Sequence, residues 1–283
     1  MADNPKFTLA DLRGLRAAGQ KLAMLTCYDF STARLMQRAG VRALLVGDSA
    51  ANVILGHPNT LPISLQFMID ITAAVRRGAP DCLLVADMPF GSYQASAGSG
   101  FRNVTRMVQL SGCDCVKIEA GASQARLVSR LADAGVAVMA HLGLRPQQIG
   151  LLGRYQARGR TAEEARWIVD LARRMEKACA SAILLEAVPP PVSAAVVEAV
   201  SIPVIGCGAG PACDGHVFVT HDGIGLSDRK PKFAPKLGDV ATPMINCFSE
   251  FVRMVESGKY PAPENCYEMP EAEKEAFRKR PPL

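Results

Sequence analysis

Short, near-continuous apolar runs recur along the chain, and most are followed by a stretch with helical period. The runs are Leu22 to Cys27, Ala43 to Val46, Leu83 to Ala86, Cys115 to Ile118, Ala137 to Ala140, Ala182 to Leu185, Val204 to Ile205 and, more weakly, Val217 to Val219, which makes eight candidate strands. Apolar runs without alternation suit strands buried on both faces of a parallel sheet. Between them, Leu65, Met68, Ile69 and Thr72 share one helical face with Gly78 placed as a C-cap, and Leu127, Val128, Leu131 and Ala134 form a stripe ended by Gly135. The helix beginning at Thr161 is the best marked: Thr161 and Glu164 fit a capping box, and Ala165, Ile168, Val169 and Ala172 supply its buried stripe. Strand and helix alternate throughout, which predicts an α/β fold, and eight such units in about 250 residues is the size of a (β/α)8 TIM barrel. Thr8 and Asp11 predict a short N-terminal helix that closes the barrel bottom. An open doubly wound sheet fits less well, because the turn Thr26-Cys27-Tyr28-Asp29 lacks the glycines of a dinucleotide-binding turn. Gly206-Cys207-Gly208-Ala209-Gly210 reads as a tight strand-to-helix turn. The expected organisation is one barrel over residues 1–267 and a charged, Pro-flanked tail over 268–283, bound to the surface or frayed.

Composition narrows the class without naming a function. The 283 residues are 49% hydrophobic and 21% charged, too apolar for disorder and long enough for a full core. The formal charge of +5 suits small anionic substrates as well as nucleic acid and decides nothing. No apolar stretch approaches the ~18 residues of a membrane span and the N-terminus lacks a signal-peptide core, so a cytoplasmic protein is expected. Nine cysteines, several beside apolar runs (Cys82, Cys113, Cys115, Cys179 and Cys207), read as reduced, buried thiols.

The candidate chemistry sits immediately after the strands. Val46 leads through Gly47 to Asp48 and Ser49, Ala86 to Asp87, Ile118 to Glu119, Ala140 to His141, and Leu185 to Glu186. In a barrel these positions line the carboxyl-end face, where barrel enzymes place catalytic groups. Any one carboxylate after a strand also reads as the N-cap of the next helix, His141 as a satisfied core histidine, and Lys117 as the partner of Glu119 on the same strand face. Packing alone gives no reason to gather so many at one rim, since carboxylates brought together repel and need a cation. Asp48, Asp87 and Glu119 supply oxygen donors that suit a hard ion such as Mg2+, while Lys117 and Ser49 are placed to hold a substrate carboxylate. Glu186 has apolar flanks, and desolvation there should raise its pKa toward that of a general base for a weak carbon acid. The pattern predicts metal-assisted enolate chemistry.

The runs LLVGDS (44–49), GHPNTLP (56–62), AAVRRGAPDCLLVADMPFGSYQ (73–94), VKIEAG (116–121), HLGLRPQ (141–147), PVIGCGAGPACDG (203–215) and ESGKYPAPE (256–264) closely resemble the ketopantoate hydroxymethyltransferase family, also called 3-methyl-2-oxobutanoate hydroxymethyltransferase. The resemblance spans residues 22–267 and implies a TIM barrel, assembled as a homo-oligomer and often a decamer. It implies transfer of a one-carbon unit from 5,10-methylenetetrahydrofolate, a co-substrate, to 3-methyl-2-oxobutanoate, giving 2-dehydropantoate through a Mg-stabilised enolate in pantothenate synthesis. On its motifs, Asp48 and Asp87 match Mg2+ ligands, one ion per subunit, with Glu119 as the third metal-site carboxylate acting directly or through water. Asp48, Ser49, Asp87, Lys117 and His141 match substrate-site positions, and Glu186 matches the proton acceptor. Small molecules are the implied partners, with no nucleic acid and no membrane.

The chain departs from the family pattern at several places. Ala50-Ala51-Asn52 replaces a Leu-Gly-Met stretch, and the loop Gly153-Arg154-Tyr155-Gln156-Ala157-Arg158-Gly159 lacks the family's Lys and Gln. His216 stands where Gln is common, and Thr220-His221-Asp222-Gly223 replaces a bulkier segment. These departures leave the metal ligands and the base intact and bear on substrate preference and folate affinity. The alternatives are a Mg-dependent enolate lyase of the phosphoenolpyruvate mutase and isocitrate lyase group, a transferase with an altered keto-acid substrate, or a barrel serving as a scaffold. Against the lyase, the sequence has no Lys-Lys-Cys-Gly-His-type cysteine loop.

Overall fold

Eight parallel strands close on themselves in chain order, each beside the next and the eighth beside the first. The computed structural model describes residues 5–228 and 230–279. In chain order the elements are α1 (Leu9–Ala17), β1 (Leu22–Thr26), α2 (Phe30–Arg38), β2 (Ala43–Val46), α3 (Ala50–Val53), α4 (Leu65–Gly78), β3 (Leu83–Asp87), α5 (Ala97–Ser111), β4 (Cys115–Glu119), α6 (Ala125–Asp133), β5 (Ala137–Gly143), α7 (Ile149–Leu152), α8 (Ala162–Lys177), β6 (Ala182–Glu186), α9 (Pro190–Ala199), β7 (Val204–Cys207), β8 (Gly215–His216) and α10 (Thr220–Ile224). Beyond them come α11 (Ala241–Glu256) and α12 (Glu271–Lys279). None of the described helices is long and apolar enough to cross a membrane.

Strand alternation splits the apolar residues into two cores. Val46, Leu84, Val116, Ala140 and Leu185 point outward to the helix layer. Leu45, Val85, Cys115, Met139, Leu184 and Ile205 point into the barrel and pack with Phe7, Leu12 and Leu15 around α1, which plugs the bottom. The Thr8 and Asp11 side chains, from which this helix was expected, form a capping box at its start.

Several local expectations shift. Gly78 is the last residue of α4 rather than its cap, because α2 packs so close that a Cβ there would lie 2.3 Å from the Phe30 carbonyl oxygen. The eighth strand is Gly215–His216, not 217–219: it is fixed by pairing with Leu22 and Ile205, and a Cβ at Gly215 would meet the Leu22 carbonyl oxygen at 2.6 Å. The glycine-rich segment after β7 leads into β8 with no helix between. Thr161 caps α8 as expected, while Glu164 turns back to the Gly159 and Arg160 N–H groups. Cys82, Cys113, Cys115 and Cys207 are buried, but Cys179 is exposed in a left-handed turn (φ 64°) after α8, and all nine cysteines are free thiols. The tail contains α12, a helix acidic at its start and basic at its end, rather than a frayed segment.

The chain divides into two compact units, Met1–Gly223 with Ser227–Lys236, and Ile224–Leu226 with Leu237–Leu283. The break before Leu237 lies well ahead of the 267/268 division expected from composition, since α11 carries an amphipathic pattern like a barrel helix yet has no buried residue. Within the second unit, the Phe251 and Tyr260 rings meet edge to face, 5.3 Å apart.

Candidate active site

At the carboxyl ends of β3 to β6 the inward positions change from apolar to ionisable. Register sets Asp87 beside Lys117, Glu119 beside His141, and Gly143 beside Glu186, so residues 22 to 43 apart in sequence become neighbours on one rim. None of the four carboxylates caps the following helix. The N-cap positions are Ser49 for α3, Ser96 for α5, Gln124 for α6 and Pro189 for α9, which removes the capping explanation of Asp48, Asp87, Glu119 and Glu186.

A line of contacts crosses the rim. Lys117 Nζ lies 3.0 Å from Asp87 Oδ1 and 3.3 Å from His141 Nδ1, and His141 Nε2 lies 3.1 Å from Glu186 Oε2. Lys117 therefore pairs with Asp87 on the adjacent strand, not with Glu119 two residues along its own. An ammonium only donates, so Nδ1 accepts and the imidazole proton is assigned to Nε2, facing Glu186. The Asp87 Oδ1 and His141 Nε2 contacts are close without hydrogen-bond alignment, so both buried atoms keep bonding capacity for a further partner.

Burial dominates the electrostatics. It lifts Glu186 to about 7, opposed by the Lys117 charge. It raises Asp87 to about 7 and Glu119 to about 8, with Asp48 adding repulsion to both while Lys117 and the Gln147 N–H group, respectively, are the largest opposing influences. Burial and the neighbouring Lys117 hold His141 well below its usual value, so it is neutral. For Lys117 burial pushes downward, but Asp87 and Asp48 outweigh it and the ammonium persists.

The structure adds residues whose importance sequence reasoning missed. Gln147 donates through Nε2 to Asp48 Oδ2 (2.9 Å) and the Met88 carbonyl (2.9 Å), and accepts at Oε1 from Tyr93 Oη (2.8 Å) and Gln94 Nε2 (3.0 Å). Its backbone N–H donates to Glu119 Oε1 at 2.8 Å. Tyr93 Oη also accepts from the Glu119 N–H, at 3.2 Å, and Tyr28 Oη lies 2.8 Å from Ser49 Oγ. The only signal is that Gln147 and Tyr93 fall inside long family-like runs; no spacing rule links them to Asp48.

Among the described residues, no three His, Cys, Asp or Glu side chains converge as a metal-binding cluster. Asp48 and Asp87 do adjoin, the Asp48 N–H donating to Asp87 Oδ2 at 2.9 Å, while Glu119 is turned to Gln147. Two hard-oxygen carboxylates, one with an unaligned buried oxygen, fit Mg2+, which keeps several waters and takes one or two protein carboxylates beside substrate oxygens.

The sequence profile of ketopantoate hydroxymethyltransferase matches residues 6–263. Among curated relatives, the 3-methyl-2-oxobutanoate hydroxymethyltransferase of Caldivirga maquilingensis is 44% identical over 245 residues, 87% of this chain and 92% of that protein. The protein of the same name from Clostridium novyi is 40% identical over 268 residues, 94% of this chain and 98% of that one. Among solved structures, a phosphonopyruvate hydrolase complex with oxalate and Mg++ superposes with a TM-score of 0.61 at 14% identity, covering 96% of this chain and 98% of that one, a likeness of fold alone.

Proposed function

The chain belongs to the ketopantoate hydroxymethyltransferase family, and from that premise we propose that it transfers a one-carbon unit from 5,10-methylenetetrahydrofolate to 3-methyl-2-oxobutanoate, forming 2-dehydropantoate in pantothenate synthesis. The observation that carries this reading is the line Asp87–Lys117–His141–Glu186, buried but for the half-buried Glu186, with Asp48 beside it.

Glu186 removes the C3 proton of the keto acid. A carboxylate lifted to about 7 is basic enough to act on a weak carbon acid and still ionised in useful amount near neutrality. Neutral His141 stands beside the base, its Nε2 3.1 Å from Glu186 Oε2 and with capacity for a further partner. Lys117, kept charged by Asp87, and Ser49, steadied by Tyr28, hold the substrate carboxylate. Asp48 and Asp87 would hold Mg2+, with Glu119 acting through water, and the ion would polarise the keto group as a Lewis acid. The nucleophilic C3 then forms a bond to the methylene carbon, both bonds from that carbon to the folate nitrogens break, water supplies the hydroxyl, and the proton taken from C3 and the one released by water go to those two nitrogens.

The same reading makes the chain a cytoplasmic enzyme of small molecules and a homo-oligomer, a decamer if it follows its family. Exposed apolar side chains along α11, among them Ile245, Phe248, Phe251 and Val252, support assembly. The test is solvent exchange: with Mg2+ and no folate, the C3 proton of 3-methyl-2-oxobutanoate should exchange with deuterium, and Glu186→Gln should suppress it. Unchanged exchange in that variant refutes the base. Product analysis with both substrates separates the transferase from a lyase, which would cleave rather than extend its keto acid.

A further inference from the structure

A cavity of about 610 Å³ lies between the end of β5 and the start of α8, with Gly143, Arg145, Arg158, Glu164, Trp167 and Ile168 in its wall. Two of its walls are tied to the strand end that carries Glu186. Leu144 N–H donates to the Glu186 carbonyl at 2.9 Å, and Arg158 N–H donates to the Ala187 carbonyl at 2.9 Å. The segments around the cavity are thus joined through the backbone to the strand end that carries the base.

The charges in the wall are unevenly satisfied. Arg158 pairs with Glu164 at 2.6 Å, and Glu164 also takes the Gly159 and Arg160 N–H groups. Arg145 forms no ion pair among the described residues; one guanidinium nitrogen bonds the Ala120 carbonyl at 3.2 Å. Its guanidinium stacks 5.7 Å from the centre of the Trp167 ring, and that indole is 46% exposed. A fork of donors lacking a carboxylate, laid on an open aromatic face, suits a ligand that joins a planar conjugated ring to a nearby carboxylate.

We propose that this cavity seats the aromatic carboxylate arm of the one-carbon donor, with Arg145 as the carboxylate anchor and Trp167 as the stacking surface. The inference rests on the reading of a folate as co-substrate. It places the donor on the α8 side of the strand end that carries Glu186.

Trp167 is the single tryptophan of the chain, so its emission reports on this cavity alone. Titration with N-(4-aminobenzoyl)-L-glutamate, followed by corrected tryptophan emission and by calorimetry, should saturate. Arg145→Met should weaken that binding and raise KM for methylenetetrahydrofolate about tenfold or more, as expected for a lost charged contact, with KM for the keto acid moving far less. Arg145→Lys should fall between, keeping the charge without the fork. Trp167→Phe should bind better than Trp167→Leu, which separates stacking from folding. No saturable signal to millimolar probe, or an unchanged donor KM in Arg145→Met, overturns the proposal, since an arginine that only braces the loop would leave both untouched. Donor-free deuterium exchange by the unaltered protein tests the keto-acid reading separately, so failure of that reading and failure of the cavity assignment are distinguishable.

Discussion

A carboxyl group buried at an apolar strand end works against folding once it must ionise. The folded chain holds Glu186 at about 7, above the 4.5 of an exposed glutamate, so between those values the folded state keeps a proton that the unfolded state releases. The contribution of Glu186 to stability therefore falls as pH rises from 4.5 through 7 and is flat above. Glu186→Gln should unfold at higher temperature than the unaltered protein at pH 8, with the difference shrinking toward pH 5; each tenfold change in proton affinity is worth about 1.4 kcal/mol. The same raised value predicts that deuterium exchange at C3 increases with pH up to about 7 and then levels, because only the ionised form takes a proton. Gln147 is the residue on which the acidic side of the site depends. Gln147→Leu should lose about 1–3 kcal/mol in urea unfolding, by leaving buried Asp48 and Tyr93 groups short of partners, and should weaken Mg2+ binding measured by calorimetry. At this scale the sequence named the ionisable residues because each comes directly after an apolar run; it did not name Gln147 or Tyr93, whose partners lie up to 99 residues away.

Elements are tuned by where backbones approach. Gly78 and Gly143 each leave room for a carbonyl oxygen that a Cβ would meet at 2.3 Å, from Phe30 in one case and Glu186 in the other. Gly143 also has φ +88°, which strains any other residue. Gly78→Ala should destabilise the barrel by about 1–3 kcal/mol while leaving exchange per folded molecule nearly intact, because its clash is with α2 in the helix layer. Gly143→Ala should lose both stability and exchange, since it displaces the strand end that carries the base. Denaturant titration and exchange rates on the soluble fraction read the two effects apart. The helices are legible from caps and stripes, as at Thr8 and Thr161, but the close packing that makes Gly78 a contact rather than a terminator is not a local property.

For the whole molecule, the second unit carries the clearest unmet requirement. Phe248 is 62% exposed and Phe251 54%, on a helix with no buried residue. Light scattering after size exclusion should give a mass that is a multiple of the 30.2 kDa chain, and Phe248→Glu with Phe251→Glu should lower it. An unchanged particle mass in that double variant would show that assembly uses another surface. The pattern of α11 reads from sequence like one more barrel helix, because amphipathicity records that a face is apolar without recording what covers it.

The sequence by itself determined the α/β alternation, the closing N-terminal helix and the set of strand-end residues, Asp48, Asp87, Glu119, His141 and Glu186, since periodicity and the residue after each strand are local facts. It also carried the family through long ordered runs. Only the tertiary structure decided which of those groups touch: Lys117 with Asp87 and His141, His141 with Glu186, Gln147 with Asp48 and Glu119. Strand register and loop closure set those contacts, and both are fixed by shear and packing around the whole barrel, so no window of sequence contains them.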